Sequence, residues 1–265
     1  MTPVSTFADK HVALFGLGGS GLATARALIA GGAKVAAWDD SAASRDKATA
    51  AGVAVADLAQ ADWRAFDALI LSPGVPLTHP EPHWTAKKAQ EAGVEIIGDI
   101  ELFFRERAAR APDAPVVCVT GTNGKSTTTA LIAHILRHAG RDAQMGGNIG
   151  VPILDLAPPA RERIHVIECS TFQIDLAPGL RPSVGILLNL TPDHIDRHGA
   201  MESYAAIKER MILASDIAVI GMGDDWCRGV AMRFWSKRPP VMIMAGRGEI
   251  DGVHYADGRI YASSD

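Results

Sequence analysis

Cysteine is scarce in this 265-residue chain: Cys118, Cys169 and Cys227 are the three, spaced about fifty residues apart. An odd number at that spacing excludes a disulfide framework and a zinc cluster, and leaves small buried hydrophobes as the plain reading. Long apolar runs are missing too, since nothing approaches the ~18 to 20 residues that cross a membrane. Met1 to Lys10 is polar and charged, and the apolar run Val12 to Leu17 is too short for the core of a signal peptide, so the cytoplasm is the expected compartment. Charge of one sign is also lacking. With 26 basic and 30 acidic residues the net charge is -4, which removes any whole-protein basic field that would recruit nucleic acid or an anionic membrane. Local anion sites remain compatible with that sum. Glycine and proline, 26 and 15, fall short of a collagen-like or disordered excess, and 48% hydrophobic with 21% charged residues is a soluble globular balance. At ~100 to 200 residues per domain the length suggests two domains.

Strand and helix signals alternate along the first hundred residues. His11 to Phe15, Ala33 to Trp38, Ala68 to Leu71 and Val94 to Ile97 read as short buried strands, with helices over Leu22 to Ala30 and His83 to Ala92. Such alternation implies parallel strands joined by crossover helices. Asp99 to Arg110, acidic first and basic last, reads as a closing helix. Ala111-Pro112-Asp113-Ala114-Pro115 breaks the pattern and is the expected boundary, giving domains 1–110 and 111–265. The alternation then restarts: strands at Val116 to Val119, His165 to Ile167, Val184 to Leu188, Ile217 to Ile220 and Val241 to Met244, helices at Thr127 to Ala139 and Met201 to Leu213. A hairpin is expected around Asp257-Gly258. The fold class is α/β, a Rossmann-like domain followed by a P-loop domain.

The strongest chemical signal is Thr120-Gly121-Thr122-Asn123-Gly124-Lys125-Ser126-Thr127 between a strand and a helix. In such a loop backbone amides cradle phosphates, the lysine reaches the β and γ oxygens, and the following hydroxyl can hold Mg²⁺. Val119 stands where the general pattern has its first glycine. A nucleoside triphosphate, ATP, is the expected ligand. A second loop, Gly16-Leu17-Gly18-Gly19-Ser20-Gly21, follows the first strand, and Asp39 ends the next one, which is the spacing of a dinucleotide fingerprint. Tight glycines at a helix N-terminus accept any diphosphate, so a nucleotide-sugar fits as well as NAD.

Glu168 ends the apolar run Val166-Ile167, where a carboxylate at a strand tip can serve the metal of a neighbouring P-loop. Asp193-His194-Ile195-Asp196-Arg197-His198 follows the next strand in the same manner, gathering ionisable groups at the carboxyl end of the sheet. Lys208 shares a helical stripe with Tyr204, Ala205, Met211 and Ile212. Two readings stand open: a desolvated lysine whose neutral amine is available for chemistry, or a snorkelling one whose head reaches water.

Together these residues resemble the Mur ligase family, most closely its D-glutamate-adding members. The resemblance is carried by both glycine loops, Ser72-Pro73-Gly74-Val75, Gly98 to Phe103, Gly146-Gly147-Asn148-Ile149-Gly150, Glu168 to Gln173, Asn189 to His198 and Lys208, in family order across nearly the whole chain. It implies an ATP-dependent ligase of peptidoglycan synthesis that phosphorylates the carboxylate of UDP-N-acetylmuramoyl-L-alanine and lets D-glutamate displace the phosphate. The roles it implies are ATP binding by Gly121 to Thr127, and metal binding by Ser126, Glu168, His194 and a carbamylated Lys208, with two Mg²⁺ ions. Lys125, Glu168, His194 and Lys208 would form the catalytic set. Gly18, Gly19, Ser20, Asp39, Asp40, Ser72, Pro73, Gly74, Asn148, Ser170 and Gln173 would meet the UDP-substrate. Cys169 and Thr171 depart from the usual Leu and Ser. The resemblance also implies a monomer, and places Asp265 before the end of the ATP domain and before a third, amino-acid-binding domain. Poor turnover is therefore expected of this chain.

Two other classes compete. An NAD-dependent oxidoreductase would use Gly16 to Gly21 and Asp39 but leaves Thr120 to Thr127 unexplained. The other is non-catalytic: a truncated fragment of such a ligase that binds UDP-sugar and ATP, or a UDP-sugar-binding module, which needs only the first domain.

Overall fold

The computed structural model describes residues 1–235, 241–247, 252–256 and 259–262. The chain forms two compact units: Met1–Ala114 with Gly146–Arg161 and Phe172–Leu180, and Pro115–Met145 with Glu162–Thr171 and Arg181–Asp265. Two segments that follow the ATP-type loop in sequence are thus packed into the first unit, a partition that a linear reading of the alternation does not anticipate.

The first unit runs β1 (His11–Phe15), α1 (Gly19–Ala30), β2 (Lys34–Trp38), α2 (Ala42–Ala50), β3 (Ala68–Leu71), α3 (Trp84–Ala92), β4 (Glu95–Ile97) and α4 (Asp99–Arg110). Its four strands lie in the order β2-β1-β3-β4, all parallel. Parallel strands are covered on both faces, which is why β1 and β3 read as unbroken apolar runs. Ala13, Phe15, Leu69 and Leu71 from these strands pack with Leu58, Trp63, Phe66 and Ala89 into one core. Trp63 lies in that core and donates its indole N–H to the Leu58 carbonyl at 3.0 Å. Helix α1 begins at Gly19, three residues before the expected start, because it springs directly from the glycine turn with Gly18 as its cap. Helix α2 was not expected: Ala42–Ala50 buries only Ala48 and shows no apolar stripe, and its start is set by the Ser41 hydroxyl accepting the Ser44 amide.

After α4 the chain continues with β5 (Val116–Thr120), α5 (Lys125–His138), β6 (Asp142–Gly147), β7 (Arg163–Glu168), α6 (Thr171–Asp175), β8 (Val184–Leu187), α7 (Ile195–His198), α8 (Met201–Leu213), β9 (Ile217–Gly221), α9 (Asp225–Trp235), β10 (Val241–Arg247), β11 (Gly252–Ala256) and β12 (Arg259–Ala262), of which Gly146 and Gly147 of β6 and α6 from Phe172 onward fall in the first unit and the rest in the second. Its sheet has the order β12-β11-β10-β9-β8-β5-β7-β6. β11 and β12 pair antiparallel, while the Asp257-Gly258 turn expected between them lies outside the described residues. The central strand β5 is parallel to both β7 and β8. Their register sets Glu168 opposite Val119 and Leu187 opposite Thr120, so the carboxylate emerges at the base of the loop that follows β5. The turn that leaves α8 packs closely on β8 at Gly185, where a methyl group would collide with the Ser215 hydroxyl. Among the described residues no helix is long and apolar enough to cross a membrane.

Candidate functional site

In the first unit the turn after β1 is shaped by two glycines with different duties. Gly16 has φ +96°, and a Cβ there would stand 2.6 Å from Ser72; a methyl on Gly21 would collide with the Gly16 carbonyl oxygen. The first allows the tight turn, the second the close approach of α1 to the strand. Gly18 and Gly19, by contrast, face open space. We expect Gly21→Ala to force α1 away from the turn and to cost ~1 to 3 kcal/mol of stability. A native midpoint in chemical denaturation would contradict that packing role.

The turn opens on a cleft of about 500 Å³ lined by Gly18, Gly19, Ser20, Ser72, Pro73, Gly74, Asn148 and Gln173, with Gly147, Ile149 and Pro152 completing one wall. Ser72 is fixed by donating to the Gly16 carbonyl at 2.9 Å. Asp39 and Asp40 are not in that lining. Asp39 accepts from the Leu17 amide at 2.6 Å and the Ser41 amide at 2.8 Å, so its carboxylate ties the end of β2 to the glycine turn. Asp40 sits exposed, 3.4 Å from the imidazole of His83. Ser170 belongs to the second unit. The acidic residue after β2 was legible as a position, but its use in bracing the turn was not.

In the second unit the loop after β5 is clamped from one side. The Thr122 amide donates to the Asn189 carbonyl, the Asn123 amide donates to Asn189 Oδ1, and Asn189 Nδ2 donates back to the Asn123 carbonyl, all within 3.0 Å. Those two amides shape the loop. The first turn of α5, Lys125 to Thr127, carries amides that the helix itself cannot pair, and Gly124 enters it with φ +82°. Lys125 Nζ donates to the carbonyls of Gly121 and Thr122 at 3.1 and 2.7 Å. Ser126 Oγ donates to Glu168 Oε2 at 2.7 Å, which joins a hydroxyl and a buried carboxylate at the loop's mouth. Sequence reasoning missed Asn189 as a clamping residue, and only its place just after β8 hinted at it.

Lys208 is 1% exposed, which overturns the snorkelling alternative. Its Nζ donates to Thr120 Oγ1 at 3.1 Å and to the Gly121 carbonyl at 3.0 Å, and lies 4.8 Å from the Tyr204 ring centroid. Burial, reinforced by the Lys125 charge, pulls its pKa down to about 7. His198 is also buried, 2.9 Å from Thr171 Oγ1, and burial with the nearby His194 and Lys208 charges lowers its pKa to about 4. His194 stands at the start of α7 with φ 51° and about half of its side chain exposed, 3.6 Å from Asp193. All three cysteines are buried.

Among the described residues no group of three or more His, Cys, Asp and Glu side chains converges on one point. The residues nonetheless fit Mg²⁺, which takes hard oxygen donors and leans on substrate phosphates, so that Ser126 and Glu168 meet the need for one or two protein ligands.

The Mur ligase middle domain matches residues 119–263, and the N-terminal domain of MurD-like Mur ligases matches residues 10–98. The chain belongs to the Mur ligase family. Among relatives, the UDP-N-acetylmuramoylalanine–D-glutamate ligase of Brucella abortus is 58% identical over 97% of this chain and 55% of its own length. The ligase of the same name from Mesorhizobium japonicum is 59% identical over the same shares. The chain therefore spans about half the length of these curated relatives. Two solved Mur ligases share the fold at low identity. A UDP-N-acetylmuramate:L-alanyl-γ-D-glutamyl-meso-diaminopimelate ligase from Neisseria meningitides has TM-score 0.59 and 20% identity, covering 96% of this chain and 85% of its own. The UDP-N-acetylmuramate-alanine ligase of Thermotoga maritima has TM-score 0.54 and 19% identity, covering 93% and 54%. Within this Mur ligase chain both glycine loops fall inside the matched segments.

Proposed function

We propose that this chain is the UDP-sugar-binding and ATP-binding portion of a D-glutamate-adding Mur ligase of peptidoglycan synthesis. Residues 1–110 would supply the nucleotide-sugar domain and 111–265 part of the ATP domain, in a monomeric cytoplasmic protein. The observation that carries the reading is the second unit's loop, where Lys125, the first-turn amides of α5 and the Ser126–Glu168 pair meet at the carboxyl ends of β5 and β7. The identity to D-glutamate ligases supports the choice of substrate.

On this reading the amides of Gly124 to Thr127 and the Lys125 ammonium receive the β and γ phosphates of ATP. Bound by Ser126 and Glu168, Mg²⁺ would neutralise charge on the transferring phosphoryl group. The γ-phosphoryl group passes to the carboxylate of UDP-N-acetylmuramoyl-L-alanine, ADP leaves, and the D-glutamate amine displaces phosphate to give the amide. Phosphoryl transfer asks for positioning and charge neutralisation more than covalent help, which suits this set of groups. Lys208, with half its amine neutral near pH 7, can add CO₂ and lose a proton to give a carbamate. That group and His194 would serve a second Mg²⁺. Gly18, Gly19, Ser20, Ser72 to Gly74, Asn148 and Gln173 would hold the UDP-sugar in the cleft.

Calorimetry on the 265-residue chain tests the reading with ATP plus Mg²⁺ and with UDP-N-acetylmuramoyl-L-alanine separately. Both are expected to bind. Binding of the sugar alone would leave only a UDP-sugar module, and binding of neither, with a fluorescence change on adding NADH, would replace the ligase reading with an oxidoreductase.

A further inference from the structure

We propose that Tyr204 is a positioning residue for the phosphate loop, its hydroxyl latching the loop's tip to α8 while its ring roofs the amine of Lys208. In the sequence Tyr204 is one apolar position on a helical stripe. In the structure it is 1% exposed and its Oη lies 3.0 Å from Thr122 Oγ1. Proton counting fixes the direction of that bond. The single Thr122 hydroxyl proton goes to the Thr191 carbonyl at 3.0 Å, and the same oxygen accepts the Thr191 amide at 3.0 Å. Its remaining lone pair can only accept, so Tyr204 donates. Burial raises the phenol pKa, which keeps that donor protonated.

The latch closes a circuit. Thr122 and Asn123 are already bonded to Asn189, and Tyr204 bolts this assembly to α8. Four residues on, Lys208 holds the base of the same loop through Thr120 Oγ1 and the Gly121 carbonyl. One helix therefore grips three successive residues where the loop leaves β5, Thr120 to Thr122, and the Tyr204 ring lies against the gripping amine at 4.8 Å and against His198 at 5.4 Å. The amides of Lys125 to Thr127 begin where this braced segment ends. The effect on nucleotide binding rests on the ATP reading above; the latch itself does not.

The test is Tyr204→Phe, which removes the hydroxyl and keeps the ring. Amide hydrogen exchange without nucleotide is expected to quicken about fivefold at residues 121–124 and 189–191, the worth of one neutral hydrogen bond, with the first unit unchanged. The dissociation constant for ATP with Mg²⁺ is expected to rise by a similar factor. Unchanged loop exchange would overturn the latch, as would exchange that quickens evenly through the whole second unit. If Tyr204→Phe fails to fold, the native chain supplies the reading: the Tyr204 hydroxyl proton is expected as a slowly exchanging NMR resonance with a cross-peak to the Thr122 methyl group, and its absence would overturn the latch. A wild-type chain that binds no nucleotide would remove the ATP reading, and the exchange result would still decide the latch.

Discussion

Lys208→Met is expected to raise stability near neutral pH and to flatten a pH dependence that the native lysine imposes. The folded chain holds the Lys208 proton with a pKa of about 7, the unfolded chain with the ordinary lysine value of 10.5. Below about pH 7 both states are protonated and the full cost of burying the charge is present. As pH rises from there toward 10.5 only the unfolded chain keeps the proton, so native stability climbs by ~1.4 kcal/mol per pH unit. Methionine has a similar unbranched shape and no charge to bury. The acceptors it leaves behind are not stranded, because Thr120 Oγ1 still donates to the Cys169 carbonyl and the Gly121 carbonyl still accepts from Lys125. The gain at pH 7 is on the order of 2 to 4 kcal/mol, after the lost hydrogen bonds are set against the removed desolvation. The groups facing the amine are Lys125, Cys169, Asp193 and Cys227. Thiols ionise in the unfolded chain above about pH 8.5, whereas burial and Asp224 push the Cys227 thiol up, which bends both curves downward. The native-minus-variant difference cancels that bend. Urea midpoints from pH 6 to 9 that run parallel for the two proteins would show that Lys208 titrates normally. The same substitution would remove the amine that the proposed carbamate needs, a trade of stability against function common at such sites.

Which parts of this molecule were legible in the sequence follows from the range of the interactions that build them. β1, β3, α4 and α8 appear with the bounds read from apolar runs and from the charges at helix ends, because those signals are local. Helices α2 and α9 and strand β6 carried no comparable signal. α2 buries one alanine, and β6 ends in two glycines that weaken a strand pattern. The loops at Gly16 and Gly121 were legible for the same local reason. Their fixtures were not: Asn189 meets the phosphate loop across 66 positions and Tyr204 across 82, and no periodicity encodes contacts of that span. Lys208 sits between these cases, since its stripe pointed to the core but only the packing of α8 could settle whether the ammonium escapes to water.

Glu168→Gln is expected to abolish the Mg²⁺-dependent part of ATP binding while leaving the Mg²⁺-free part nearly intact. The side chain is 2% exposed and its Oε2 accepts from Ser126 at 2.7 Å. Glutamine keeps the volume and an acceptor oxygen for Ser126, so the fold is retained, but the negative charge that a divalent ion needs is gone. Measured by calorimetry, affinity in saturating Mg²⁺ should fall ~10- to 100-fold toward the value measured with a chelator present. Lys125→Met makes the contrast. It removes a positive charge that on the proposed reading would face the phosphates whether or not the metal is bound, and should weaken ATP in both conditions alike. Ser126→Ala should follow Glu168→Gln in direction, because it deletes the other hard oxygen of the pair. If Mg²⁺ strengthens ATP binding equally in the native chain and in Glu168→Gln, the carboxylate at the tip of β7 is not a metal ligand, and its bond to Ser126 serves only to fix the first turn of α5.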